Sequence, residues 1–519
     1  MLVVTSQEMR ELDRLTIEQY RVPSLTLMEN AGAAVAEALL ARFGRQAKAG
    51  VLVVCGKGNN GGDGFVVARH LKKKRIPCEA VLLARKGEIS RDAAENLRAY
   101  LKVKGKIYEG GKPLKLLRER LKGKKLVVDA ILGTGLKENV RGVYAEAIAL
   151  IDSSGLPVLA VDIPSGLDGD TGRQLGTAIK AEITVALGYP KLGEVIYPGV
   201  AYVGELAVAD IGIRPEAVQA VRPRTELLEE AELSLLVPDR EPDTHKGTYG
   251  HLLVFAGSRG KTGAAILSTR AGLRAGAGLV TLASGRSLNG IFAGALVEAM
   301  TELLAENANE EIVPPSDQDW QRLLERKTAV VFGPGVGVND STRTALWWLL
   351  RNLDMPLVID ADGLSLVAGD IRRVAGAKHP PVLTPHPGEM ARLIGADTAA
   401  VNGDRVGVAR SFAGKHRCYL VLKGVRTVIA TPEGRIFINP TGNPGMASGG
   451  MGDVLAGILG GLLAQGFRVE DALKLGVYVH GFAGDRAAVI KGQMGLIASD
   501  IVDALPESLK KLKEGAGRR

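Results

Sequence analysis

Short, unbroken aliphatic runs recur along this chain, each followed by a stretch with helical periodicity. Runs that are apolar at nearly every position suit strands buried on both faces, which calls for a parallel sheet with helices packed over it. They occupy residues 51–55, 80–84, 126–129, 157–161, 183–187 and 205–209. Ahead of them, Thr5 and Glu8 have capping-box spacing, with Met9, Leu12 and Leu15 following at helical intervals, and a second helix is expected over residues 27–43. The rhythm lapses between residues 214 and 243, where Pro215, Pro223, Pro238 and Pro242 fall among charges. No strand is expected there, only a helical connection over 226–236. The pattern restarts at 251–256, 279–282, 329–332, 357–359, 382–383 and 419–422, with a hairpin expected over 425–438 around Pro432-Glu433-Gly434. With 519 residues the chain is too long for one core. The expectation is a layered α/β protein of two domains, parted near residue 222.

Glycine is the compositional anomaly, at 66 residues, nearly twice the usual share of about 7%. These glycines follow no G-X-Y period and form no linker runs; many stand at the ends of the apolar runs. The net charge of +9 is concentrated partly in Lys72–Arg75 and in Lys510, Lys511, Lys513, Arg518 and Arg519. No aromatic residues interleave with these charges, so solvated helix faces explain them better than nucleic-acid binding. Cys55, Cys78 and Cys418 are odd in number and show no metal-type spacing. They suggest a reducing cytoplasm. The N-terminal residues have no signal-peptide pattern and no run is long enough to span a bilayer, so a soluble cytoplasmic protein without membrane partners is expected.

The run at 51–55 leads directly into Gly56-Lys57-Gly58-Asn59-Asn60-Gly61-Gly62-Asp63-Gly64 and then a helical stretch. Gly56, Gly58 and Gly61 fit G-x-G-x-x-G in its required strand–helix context, where backbone amides suit a pyrophosphate. Asn59-Asn60 is unusually polar for that motif, and the next strand ends near Arg85 instead of an acid. Asp129 precedes Gly133-Thr134-Gly135, and Asp162 precedes Pro164-Ser165-Gly166. Carboxyl ends of parallel strands line the ligand crevice, so Asn60, Asp129 and Ser165 are candidate oxygen ligands for one cation.

A second glycine site lies between Gly442 and Gly461, with eight glycines in twenty residues. Those up to Gly452 describe a nest of amides suited to an anion, with Asp453 placed as a base toward a ligand hydroxyl. Gly457, Gly460 and Gly461 are expected to permit close helix packing. Lys423, Gly424, Val425, Arg426 and Thr427 follow a strand and are candidates for phosphate or ribose oxygens. Gly333 to Gly337, Gly257-Ser258, Gly263-Ala264 and Thr384 to Glu389 are placed likewise, with His386 a candidate substrate contact. His70, His379, His416 and His480 are read as structural.

These motifs carry a resemblance along nearly the whole chain. Residues 1–222 resemble an NAD(P)HX epimerase domain, through Met28-Glu29-Asn30-Ala31-Gly32, the 58–64 loop, Asp129 to Gly135 and Val161 to Gly166. Residues 223–519 resemble the ADP-dependent NAD(P)HX dehydratases, through His245-Lys246-Gly247, Arg274 to Leu279, Gly333-Pro334-Gly335, Asp360-Ala361-Asp362, His386 to Glu389 and Gly449 to Gly457. The resemblance implies a Rossmann-like three-layer α/β/α domain followed by a ribokinase-like α/β/α domain. The implied substrate is a hydrate of NADH or NADPH with a hydroxyl at C6 of the nicotinamide ring. The first domain would interconvert its R and S epimers; the second would remove water from the S epimer, converting ADP to AMP and phosphate.

By the same resemblance, Asn59, Asn60, Gly61, Gly62, Asp63, Gly133, Thr134, Gly135, Leu136, Lys137, Glu138, Asn139 and Asp162 would hold the epimerase substrate, with Asp162 as acid–base residue. Asn60, Asp129 and Ser165 would bind K+. Ala264, Gly335, His386 and Asp453 would face the hydrate in the dehydratase, with Asp453 the catalytic base. Lys423, Gly424, Val425, Arg426, Thr427 and Gly452 would hold ADP. Mg2+ at the dehydratase site and a homo-oligomeric assembly are further expectations. The rival reading is a ribokinase-like vitamin or sugar kinase with a non-catalytic N-terminal binding domain.

Overall fold

The computed structural model describes residues 1–109 and 113–515. Arg518 and Arg519 of the basic tail lie outside the described residues. The chain divides into two compact units, one of residues 2–225 and one of Met1 with residues 226 onward.

In the first unit, seven strands form one sheet: β1 (Val51–Cys55), β2 (Cys78–Leu82), β3 (Lys106–Tyr108), β4 (Leu126–Ala130), β5 (Val158–Val161), β6 (Ile183–Leu187) and β7 (Glu205–Ala209). Their order is β3-β2-β1-β4-β5-β6-β7, and every pair is parallel. β1, β4, β5 and β6 are buried at every position, as their mainly apolar runs require, with Asp129 and Thr184 the polar members. One face of the sheet packs against Val35, Leu39 and Phe43 of helix α2 (Ser24–Ala49) and Phe65 and Val67 of helix α3 (Asn59–Lys73). The other face packs against Leu117, Ile148 and Ile151. Three layers result. Helix α1 (Ser6–Arg14) opens with the expected Thr5–Glu8 capping box.

The strand order reverses between β1 and β4, opening a crevice at their carboxyl ends. Three local expectations are corrected. β2 lies two residues earlier than the 80–84 run. α2 continues past a non-helical Phe43 to Ala49. The unanticipated β3 is a short edge strand, exposed or half-buried, so it carries no continuous apolar run.

The second unit repeats the architecture with a hairpin added. Its strands from His251 onward are β8 (His251–Phe255), β9 (Leu279–Gly285), β10 (Met300–Leu304), β11 (Ala329–Phe332), β12 (Leu357–Ile359), β13 (Val382–Leu383), β14 (Tyr419–Leu422), β15 (Val428–Ala430) and β16 (Ile436–Ile438). They run in the order β16-β15-β14-β13-β12-β11-β8-β9-β10. The strands from β8 to β14 pair in parallel, whereas β14–β15 and β15–β16 are antiparallel. The hairpin over 425–438 is therefore present, with Gly434 N donating to Thr431 O at 2.9 Å in its turn.

Helix α4 (Thr262–Arg274) packs against helix α6 (Met451–Ala464), while the short helix α5 (Pro387–Ile394) follows β13. A Cβ on Gly457 would meet Ser268 O at 2.1 Å, and one on Gly461 would meet Gly272 O at 2.6 Å. These glycines do permit close helix approach. Two expectations fail: Thr225–Leu227 is a strand and only Glu230–Ser234 of the predicted connection is helical, and the exposed edge strand β10 was not foreseen. Among the described residues no helix is long and apolar enough to cross a membrane.

Two candidate active sites

The crevice of the first unit is a cavity of about 610 Å³, lined by Lys57, Gly58, Asn59, Asn60 and Asp63 from the β1–α3 turn and by Gly133, Thr134, Gly135 and Leu136 after β4. Asp162 after β5 also lines it, with Met9, Arg10 and Asp13 from α1. Close approach explains the glycines of the turn: a Cβ on Gly56 would meet Ile131 O at 1.9 Å, and one on Gly61 would meet Gly56 O at 2.2 Å. Gly61 and Gly62 are thus packing positions beneath the cavity wall. Lys137, Glu138 and Asn139 are not on that wall; Lys137 pairs with Asp170 at 3.4 Å.

Asn60, Asp129 and Ser165 converge on the carbonyl of Leu132. Asn60 Nδ2 donates to it at 3.0 Å, and Ser165 Oγ lies 3.1 Å from it. Ser165 Oγ and its backbone N–H donate to the two oxygens of Asp129 at 2.6 and 2.8 Å. Burial pushes the Asp129 carboxyl up to about 6, against the hydrogen bonds from Ser165. Asn60 Oδ1 is buried without a partner. This is an all-oxygen set with one carboxylate and one orphaned amide oxygen.

Asp162 adopts φ of +68°, an uncommon conformation for a non-glycine residue. Its Oδ1 accepts from Leu187 N at 3.3 Å and from Lys191 Nζ in a very short contact. Lys191 is fully buried, and its Nζ also donates to Leu187 O at 3.2 Å. Burial opposes charge on Lys191, but Asp162 and Glu194 outweigh it and hold its ammonium above the usual range. Asp162 Oδ2 faces Gly133, 3.7 Å from where a Cβ would sit. One carboxylate oxygen is tied and the other is presented to the cavity. Composition and spacing gave no cue for Lys191; it meets Asp162 across 29 residues of chain.

In the second unit, Asp453 occupies the first turn of α6, whose N-cap Gly450 takes φ of +89°. Burial pushes the Asp453 carboxyl up to about 7, the charge of Asp360 adds to this, and Lys423 opposes it. Lys423 Nζ lies 2.7 Å from Asp360 Oδ1 and 3.8 Å from Glu389 Oε2. A Cβ on Gly452 would stand 3.0 Å from that Nζ, so a side chain there would crowd the ammonium. Asp360 is buried and also accepts from Thr384 Oγ1 at 2.7 Å. Lys423 therefore joins the α6 N-terminus to the ends of β12 and β13.

His386 caps α5: its Nδ1 accepts from Gly388 N at 3.0 Å and Glu389 N at 3.3 Å, leaving Nε2 3.6 Å from Glu389 Oε1. Gly335 (φ +62°) abuts Ala264 and Lys261, whose Nζ pairs with Asp362 at 2.9 Å. Lys423, Gly424, Val425, Arg426, Thr427 and Gly452 all line one cavity of about 510 Å³. His480, read as structural from sequence, also lines it; burial pulls its imidazole down to about 4, and its Nε2 has no partner. Asp360, Asp362 and Glu389 enter as members of quoted motifs and acquire an electrostatic part only here.

Each unit thus carries a glycine-rich loop and acidic side chains at the carboxyl ends of a parallel sheet, the construction of α/β nucleotide enzymes. Comparison with known proteins sharpens this class. Residues 24–193 match the model of the YjeF-related protein N-terminus, and residues 252–507 match that of NAD(P)H-hydrate dehydratase. Bifunctional NAD(P)H-hydrate repair enzymes Nnr are similar along the whole chain. That of Moorella thermoacetica is 45% identical over 99% of this chain and 98% of its own, and that of Thermofilum pendens 40% identical over 99% and 97%. The Escherichia coli protein is 36% identical over 88% of this chain and 84% of its own. Among solved structures, an ADP/ATP-dependent NAD(P)H-hydrate dehydratase from Bacillus subtilis is 29% identical, with a TM-score of 0.47, over 55% of this chain and 98% of its own. The chain belongs to the family of bifunctional NAD(P)H-hydrate repair enzymes.

Proposed function

We propose that this protein repairs hydrated NADH and NADPH, interconverting the R and S epimers in its first unit and dehydrating the S epimer in its second at the expense of ADP. The observation that carries the reading is the pairing, in one chain, of two separate glycine-loop sites, each with an acidic residue at the point of chemistry: Asp162 and Asp453. Family membership favours it over a vitamin or sugar kinase.

In the second unit, Asp453 takes the proton of the C6 hydroxyl as that oxygen attacks the terminal phosphorus of ADP, and AMP leaves. The ADP lies along Lys423 to Thr427 and Gly452, with the Gly449–Gly452 amides meeting the transferring phosphoryl group. The C6–O bond then breaks with the electron pair going to phosphate. The ring nitrogen assists, and loss of a C5 proton restores the C5–C6 double bond. Ala264, Gly335 and His386 face the hydrate. The functional division falls at residues 222 and 223.

In the first unit, Asn59, Asn60, Asp63, Gly133 to Leu136 and Asp162 take the substrate, with Asp162 Oδ2 as base. Asn60 Oδ1, Ser165 Oγ, Asp129 and the Leu132 carbonyl suit a potassium ion, which would fix the loops after β4 and β5 beside the substrate. Among the described residues no group of three or more His, Cys, Asp or Glu side chains could hold a metal. Mg2+ at the second site would therefore rest chiefly on the diphosphate and its waters. The three buried free cysteines support a cytoplasmic location, and a homo-oligomeric assembly that binds neither nucleic acid nor membrane completes the reading. The test is incubation with mixed R and S hydrates. With ADP both are consumed and NADH absorbance returns; without nucleotide neither is dehydrated. Failure to regenerate NADH with any nucleotide overturns the proposal.

A further inference from the structure

The cavity of the first unit contains a carboxyl that neither the oxygen set around Leu132 nor the Lys191–Asp162 pair uses. Asp13 lies in the last turn of α1 and lines the cavity with Met9 and Arg10. Its side chain makes no hydrogen bond or ion pair among the described residues. Burial pushes it up to about 6, with the charge of Asp162 adding and Lys191 opposing. Asp162, by contrast, is tied through Oδ1 to an ammonium and a backbone N–H. Asp63 and Asp92 line the cavity too, and burial pushes the Asp63 carboxyl well up, with the charges of Asp162 and Asp13 adding. Asp162, paired with a cation, and Asp13, half-buried and without a side-chain partner, stand in the different environments that a base and an acid need.

We propose that Asp13 is the proton donor to the ring nitrogen during epimerisation, acting with Asp162 as base; this rests on the reading of the first unit as the epimerase. The substrate carbon C6 carries both a hydroxyl and the ring nitrogen N1, so its configuration is lost when the C6–N1 bond opens. Asp162 Oδ2 takes the hydroxyl proton and the C6–O bond becomes a carbonyl. The C6–N1 electron pair moves to N1, which receives the proton of Asp13. Rotation about C5–C6 turns the other face of the aldehyde toward N1. Ring closure then reverses both transfers: N1 returns its proton to Asp13, and Asp162 returns its proton to the oxygen. Nothing is consumed and both carboxyls end as they began.

The experiment uses the full chain, pure R hydrate, no nucleotide, and chromatographic separation of the epimers. Asp13→Asn is expected to lower kcat for R-to-S conversion by roughly tenfold or more, with KM changed far less. Asp13→Ala should show the same loss, and added formate, a small acid able to refill the cavity, should restore part of the rate. A merely structural Asp13 predicts no such rescue. Early product formed in ¹⁸O-labelled water should keep its original oxygen. A loss below about tenfold in Asp13→Asn, or an Asp13→Ala rate unmoved by formate, overturns the assignment. Stoichiometric ¹⁸O incorporation overturns the ring-opening step. If the unaltered protein leaves R hydrate unconverted, the epimerase reading itself fails, a result distinct from conversion that ignores Asp13.

Discussion

Asp453, the base of the proposed dehydration, is a carboxyl whose burial also has a cost for the fold. Burial and the neighbouring Asp360 charge bring its carboxyl up to about 7, against the opposing Lys423. A base must be ionised before it can accept a proton, so dehydration kcat should rise as pH increases from about 6 to 8. Asp453→Asn should lower that kcat by roughly 10²–10⁴-fold while R and S still interconvert. Loss of both activities in a folded variant would contradict the assignment. The same shift has a stability consequence of opposite direction. Between the unfolded value near 3.8 and the folded value near 7, the folded state holds a proton that the unfolded chain has released. Stability therefore falls as pH rises through this window. Asp453→Asn cannot ionise, so in thermal melts it should unfold at a higher temperature than the parent at pH 8, with the gap closing toward pH 4. An equal or lower Tm at pH 8 would show that burial of this carboxylate costs the fold nothing.

At the scale of elements, what decides the sites is how closely helices and loops approach. Gly457 lets α6 lie against α4, with Ser268 O occupying the space a Cβ would need. Gly457→Ala should destabilise the protein by about 1–3 kcal/mol through overpacking, read as a lower Tm; unchanged melting would show that the two helices can part without penalty. The loops after β4 and β5 are joined through Asp129 and Ser165 around Leu132 O. Exchanging K+ for a bulky organic cation should slow R-to-S conversion and leave ADP-dependent consumption of pure S hydrate unchanged. Equal slowing of both would place the cation elsewhere. Strands buried on both faces, and the glycine turns that follow them, were legible because burial writes an unbroken aliphatic run and close approach demands glycine. The edge strands β3 and β10 were not, since exposed edges impose no such run; the edge strand β7 was legible through Leu206 to Ala209, although only Ala209 of it is buried. Lys191 escaped because its partner is remote in sequence. Asp13 escaped because an acid one turn beyond Met9 reads as the polar side of an amphipathic helix. Only the cavity reveals that this side is half-buried.

At the scale of the molecule, joining the two activities has a stereochemical reason. On the proposed reading, phosphorylation at C6 by a site built around Asp453 acts on one configuration, so rapid recovery of the R hydrate needs inversion at the other site. Strands β1 to β7 form one sheet and β8 to β16 belong to another, and each unit has its own cavity. The lining of the first cavity lies within residues 2–225 and that of the second within residues 226–515, and on the proposed reading the second site needs only a supply of S epimer. This independence predicts complementation between separate chains. With ADP, Asp453→Asn alone should interconvert the epimers and consume neither, while Asp162→Asn alone should consume S hydrate and leave R to decay at its slow spontaneous rate. An equimolar mixture of the two variants should consume both epimers completely, with R disappearing at a rate set by the epimerase-competent chains. The measurement is the amount of NADH regenerated from pure R hydrate over the first minutes, compared with the unaltered protein at equal site concentration. A mixture no faster than Asp162→Asn alone would mean that epimer passes between sites only within one chain, and the two units would then have to be treated as a single catalytic body.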